Sequence, residues 1–103
     1  MTVKNRPLLV PTDVDLGAPR VVHCLHEPYH VYIGRHSKWS NPFRIGRNGT
    51  RQQVIQRYEC YLSQCPWLLA DLPELEGLVL GCWCSPHACH GDVLVKLANR
   101  VGL

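Results

Sequence analysis

The sequence lacks any acidic residue between Pro28 and Tyr58. Arg35, Lys38, Arg44, Arg47, Arg51 and Arg57 all fall in that window, so six of the chain's eleven basic residues stand there unopposed. A segment of one sign attracts anions, although a plain solvated basic face has the same composition. Long apolar runs are also lacking. No stretch approaches the roughly 20 residues that cross a bilayer, so no membrane partner is expected. The start, Met1-Thr-Val-Lys-Asn-Arg-Pro7, has no long apolar run and no small-residue cleavage site, which excludes the pattern of a secretory signal. The expected compartment is therefore cytoplasmic. Charge is scarce overall, at 18% of 103 residues against 46% hydrophobic, the opposite of a disordered chain. A chain of this size holds one hydrophobic core.

Cysteine is plentiful, with six in the chain. A disulfide scaffold needs an oxidising compartment, and without a signal that reading fails. Three of the six crowd into Cys82–Cys89, where metal binding or thiol chemistry is the better expectation. Cys24, Cys60 and Cys65 read as buried small hydrophobes.

Residues 1–19 carry Pro7, Pro11 and Pro19 and read as an N-terminal arm with a short strand at Leu8–Val10. Residues 20–103 read as a single domain. Arg20–Leu25 and His30–Arg35 have the β-branched content of strands. A long polar loop runs from Arg35 to Gly49, and Trp39 and Phe43 within it argue for order. Thr50 with Gln53 three residues on forms a capping box. Val54, Ile55, Tyr58, Tyr61, Leu62 and Cys65 then share one helical face until Pro66. Trp67–Leu72 reads as a second short helix. Leu78–Cys84 is an apolar run suited to a buried strand, Ser85–Ala88 a turn, and Gly91 or Asp92 the start of a last helix reaching about Val101. Its buried face is Val93, Leu94, Leu97, Ala98 and Val101. Strands separated by helices imply an α/β fold, a small Rossmann-like parallel sheet flanked by helices. Ligands of such sheets sit at the carboxyl ends of the strands. Here those ends are Gly34-Arg35 and Cys82–Cys84.

In a strand, Cys82 and Cys84 point to one face and Trp83 to the other. Cys89 and His90 arrive after the turn, and three thiolates with one imidazole make a tetrahedral zinc set. The spacing opposes this, since all four ligands lie within nine residues and two are adjacent, whereas structural zinc sites favour separated C-x2-C pairs. The alternative needs no metal. A thiol at a helix start has its thiolate favoured by the macrodipole, and the free amides at Cys89–Gly91 suit phosphate. His90 then moves a proton, and Asp92 orients it or caps the helix. In the other segment, Gly34 permits close backbone approach, and Arg35 and Lys38 suit phosphate. Trp39 and Phe43 either stack on a base, with Asn41 reading its edge, or plug the loop into the core. His23, His26 and His30 read as core or surface residues.

The ordered motifs Tyr32–Arg35, Trp39–Phe43, Gly49–Arg51 and Cys82–Asp92 resemble those of a family of bacterial and phage proteins catalogued as domain of unknown function 4326. The resemblance spans about residues 28–100 and adds Arg51, at the G-T-R helix start, to the expected ligand-binding set. His30 stands where that family's pattern has an acid, and Ser40 where it has glycine. A fainter likeness links the Cys89-His90 helix start to domain of unknown function 488. Another links Ser40–Phe43 to N-glycosidases of ADP-ribose-type linkages. Two function classes follow. The first is a nucleotide-handling protein, an N-glycosidase or other nucleotide-modifying enzyme, with phosphate at the strand ends and Cys89, His90 and Asp92 as catalytic groups. The second is a zinc-stabilised nucleic-acid-binding or phage-encoded interaction module without catalysis. A homodimer is compatible with the size, but no motif marks one.

Overall fold

Three runs of apolar and β-branched residues become strands: β1 (Arg20–His23), β2 (Val31–Tyr32) and β3 (Val79–Cys82). The computed structural model describes residues 9–101, the last by its backbone alone. The strands form one parallel sheet in the order β1-β3-β2. Arg20 pairs with Val79 and His23 with Cys82 on one side of β3; Val31 pairs with Leu80 and Tyr32 with Gly81 on the other. The parallel α/β fold expected from the sequence is therefore the one observed. The regular strands are shorter than the sequence suggests, but their ladder bonds run on. The amide of Cys24 donates to Cys82, that of His30 to Val79 and that of Ile33 to Gly81. At Gly34 the chain turns away, its carbonyl taken by the Ser37 amide and hydroxyl.

Between β2 and β3 run α1 (Arg51–Ser63), α2 (Pro66–Asp71) and a 3-10 turn at Leu72–Leu75; α3 (His90–Val101) follows β3. Side chains alternate across the sheet, and the two faces are covered differently. Leu80, Cys82 and Ile33 face the helices, in a cluster with Tyr58, Leu62, Leu68, Leu94 and Ala98. Val79, Val22, Cys24 and Tyr29 face the other way, where Leu16 and Leu25 pack on them. Among the described residues, the helices thus gather on one face, and the N-terminal segment covers the other.

His30 fastens that segment. Its Nδ1 accepts the Val79 amide at 2.9 Å while Nε2 meets the Val14 carbonyl. The strand expected at Leu8–Val10 reduces to one parallel bridge between Leu9 and Tyr29, with Leu8 outside the described residues. Among the described residues, no helix is long and apolar enough to cross a membrane.

The capping box reads through from sequence to structure. The Thr50 hydroxyl accepts from the Gln53 amide at 3.2 Å, and the Gln53 side chain accepts from the Thr50 amide at 2.9 Å. Below it Val54, Tyr58 and Leu62 are buried. Cys60 departs from expectation and is exposed, because it lies off that stripe; Cys24 and Cys65 are buried as expected. Thr50→Ala is expected to cost about 1 kcal/mol, the usual value of a cap, read as a lower urea midpoint with unchanged slope.

Candidate functional site

The chain leaves β2 at Gly34 and β3 at Cys82, both at the carboxyl edge of the sheet, and the departing segments wall a cleft of about 860 Å³. The β2 side supplies Tyr32, Gly34, Arg35 and His36. The loop before α1 supplies Asn41, Phe43, Arg44 and Ile45. Arg51 enters from the first turn of α1, and Cys82, Trp83, Cys84, Cys89 and His90 come from the end of β3 and the start of α3. The lining holds three arginines and, among the described residues, no Asp or Glu.

The sulfurs of Cys82, Cys84 and Cys89 lie within 4.8 Å of one another. β3 ends at Cys82, and the bend after it brings Cys84 to the same side. The turn at Ser85–Ala88 returns Cys89 to them as the residue before α3. The Cys89 sulfur accepts the Gly91 amide at 3.3 Å, and the Asp92 carboxylate accepts the Cys89 amide at 3.1 Å. Two amides at the start of α3 are thereby satisfied, one by a thiol at the N-cap and one by the N3 carboxylate. The thiols of Cys82 and Cys89 donate to Cys84, and Arg51 stands beside it. Together these hold the Cys84 thiol well below its ordinary range. Hydrogen bonds within the cluster push Cys82 and Cys89 up, Cys82 chiefly through Cys84 and Cys89 chiefly through Cys82, with burial adding to both. The direction of these shifts favours a thiolate at Cys84, the half-buried member, over its two neighbours. Iodoacetamide at pH 6 is expected to label Cys84 ahead of the more exposed Cys60; mass spectrometry of the peptides would show the order.

His90 does not join the sulfur cluster. Its Nε2 lies 2.8 Å from the Ile33 carbonyl, and its ring meets Tyr58 edge-on at 4.9 Å. Burial pulls its pKa down, against the pull of that carbonyl. The ring therefore ties α3 to the end of β2. Asp92 is likewise engaged, as the cap of α3. Two of the three amides expected to hold phosphate are spoken for, Cys89 by Asp92 and Gly91 by sulfur. Gly91 is a packing glycine as well, since a Cβ there would lie 2.6 Å from Ile33 and 2.7 Å from Val21.

Two residues of the loop stand apart from the cleft. Lys38 binds Asp71 at 2.7 Å and Glu74 at 3.3 Å, because the loop packs along the α2 end. Trp39 is buried in the core at 3% exposure, and its carbonyl accepts the Tyr58 hydroxyl at 2.7 Å. Of the two readings of Trp39, the plug is the one observed. Asn41 lines the cleft but spends its amide on the loop, accepting from the Phe43 amide and donating to the Val54 carbonyl.

Arg35 and Arg51 line the cleft. The Arg51 guanidinium also donates to the Ala88 carbonyl at 3.0 Å, tying α1 to the cysteine turn. Arg44, His36 and Trp83 join them without having been singled out. The Arg44 amide donates to the Asn48 side chain, so Asn48 and the acid-free window were the signals for it. His36 is exposed with φ of 70°, a left-handed backbone uncommon outside glycine. Trp83, half exposed, donates from Nε1 to the Tyr32 hydroxyl at 3.0 Å.

Fold and cleft together define a small parallel α/β protein with an arginine-lined, cysteine-floored site at its strand ends. More particularly, residues 20–100 match the family described as domain of unknown function (DUF4326), and the chain belongs to that family. An uncharacterized protein of Acanthamoeba polyphaga mimivirus is 36% identical over 89 residues, covering 69% of this chain and 68% of the relative. An uncharacterized 12.4 kDa protein from the nrdA-td intergenic region of Enterobacteria phage T4 is 31% identical over 87 residues, covering 80% and 79%. No solved structure matches the chain.

Proposed function

We propose that this protein binds a nucleotide, or a small phosphate-bearing molecule like it, in the strand-end cleft and modifies it there. One observation carries the reading: the cleft presents Arg35, Arg44 and Arg51 beside the rings of Tyr32, Phe43 and Trp83, with no carboxylate among its described lining. Guanidinium forks suit phosphate oxygens, and aromatic faces suit a base. The carboxylate ion pairs of the described residues engage Arg20, Lys38 and Lys96, so no carboxylate occupies the three cleft arginines, although Arg51 also meets the Ala88 carbonyl and Cys84. The volume falls in the range of small-molecule sites, roughly 300–1,000 Å³.

The distribution of the basic window favours a small ligand over a nucleic-acid strand. Lys38 is spent on acids, and Arg57 lies over the Phe43 ring. Of the four that remain, Arg35, Arg44 and Arg51 converge on one cleft, and only Arg47 lies outside its lining. What the cleft contains also bears on the reaction. Glycoside cleavage relies on paired carboxylates, and Asp92 is committed to the α3 cap. A nucleotide-modifying reaction at the sulfur cluster, with the exposed His36 imidazole to carry a proton, fits better than an N-glycosidic one.

Calorimetry with a 5′-nucleotide, the matching nucleoside and inorganic phosphate tests this. The nucleotide is expected to bind about tenfold or more tighter than the nucleoside, the value of one charge-assisted hydrogen bond, with the gap narrowing in salt. Equal affinity for nucleotide and nucleoside, or no binding of either at millimolar concentration, would contradict it.

A further inference from the structure

We infer that Cys82, Cys84 and Cys89 form a three-thiolate centre for zinc or a similar thiophilic divalent ion, with its fourth coordination position open to the cleft. Three sulfurs within 4.8 Å of one another match a ligand set gathered around one ion. A cluster of core cysteines would need nothing further, yet three surrounding features here favour negative sulfur against the cost of burial. The Gly91 amide donates to the Cys89 sulfur, as amides do around metal thiolates. Cys89 sits at the start of a twelve-residue helix, where the macrodipole favours a thiolate. Arg51 stands beside Cys84. Three thiolates and a divalent ion leave one net negative charge, which the Arg51 guanidinium balances.

The fourth position distinguishes this centre from a structural one. Closed zinc sites have four protein ligands, whereas reactive ones have three and an exchangeable position. His90, the adjacent donor, is held on the Ile33 carbonyl at 2.8 Å and against Tyr58. All three cysteines line the cleft, so an exchangeable ligand approaches from there. The ion would supply Lewis-acid polarisation of a bound oxygen. That use rests on the nucleotide reading of the cleft; the metal site itself does not.

Cobalt(II), a spectroscopic substitute for zinc, tests the inference on the full chain. Reduced, metal-free protein is titrated with cobalt, and the visible and sulfur-to-cobalt bands are followed. The expected result is one tetrahedral cobalt per chain with three-thiolate intensity. These bands should shift on adding azide, lose about a third of the charge-transfer intensity in Cys84→Ser, and persist in His90→Ala. Absence of such bands in the wild-type protein would overturn the metal site. Bands indifferent to azide and altered in His90→Ala would overturn the open position and make His90 the fourth ligand. A shift with azide but none with a 5′-nucleotide supports the centre and counts against the nucleotide reading. Nucleotide binding to metal-free protein by calorimetry, with no cobalt bands, does the reverse.

Discussion

Arg35→Ala is expected to weaken binding of a 5′-nucleotide roughly ten- to hundredfold, the loss of one charged hydrogen-bond partner for phosphate, while leaving the folding transition in place. Arg35 is exposed at the cleft, and among the described residues it takes part in none of the ion pairs, so its truncation leaves no buried charge behind. Arg35→Lys should recover only part of the affinity, because an ammonium cannot present the planar fork. Affinity for the nucleoside, which lacks the phosphate, should hardly change. Arg51→Ala should weaken binding at least as much, but it also releases the Ala88 carbonyl and the Cys84 sulfur. Its effect therefore mixes ligand contact with the shape of the cysteine turn. Calorimetry on the two variants side by side separates these. If Arg35→Ala binds nucleotide like the wild type, phosphate is not held where the guanidinium groups converge.

The largest effect on stability is expected at Gly81, in the middle of β3. Residues of β1 and β2 pair with β3 on its two sides, and the Tyr29 ring lies on Gly81. A Cβ there would stand 2.6 Å from both Cγ and Cδ1 of Tyr29 and 2.8 Å from Cδ2. The ring face, not a flexible end, is in the way, and Tyr29 is only 1% exposed. Gly81→Ala is expected to cost about 1–3 kcal/mol, as overpacking of a filled core does, seen as a lower urea midpoint. Because Cys82 is the next residue, nucleotide binding should fall with it. The double variant Gly81→Ala with Tyr29→Leu should regain part of the loss, since the two sites share the clash. A double variant no better than the sum of its parts would place the cause elsewhere in the strand.

Local chemistry made much of this legible from sequence. Thr50 and Gln53 announced α1 because a capping box is contained in four residues. Cys82 and Cys84 were placed together because strand alternation is a local rule. What was not legible depends on distant partners. Nothing near Lys38 indicates that it meets Asp71 and Glu74, more than thirty residues away. By its neighbours His90 reads as a metal ligand or an acid–base group, but the Ile33 carbonyl, 57 residues back, takes its ring. Cys89 as a helix cap was missed because thiols seldom fill that role, so α3 begins a residue or two earlier than expected. Arg44 and His36 were hidden in a loop whose path depends on Trp39 entering the core. The sequence marked the two strand ends that form the cleft. Which side chains turn into it was decided by tertiary packing.

The most direct test of the nucleotide cleft is an amide and indole NMR titration of the unaltered protein with a 5′-nucleotide. The indole N–H of Trp83, bonded to the Tyr32 hydroxyl, is a reporter inside the cleft; that of Trp67, exposed on α2, is a reporter outside it. The expected result is saturable shifts at Trp83, Gly34, Arg35, Arg44 and Arg51, with Trp67 unmoved. Shifts spread over the basic surface, or centred on α2, would contradict the assignment of the strand-end cleft as the ligand site.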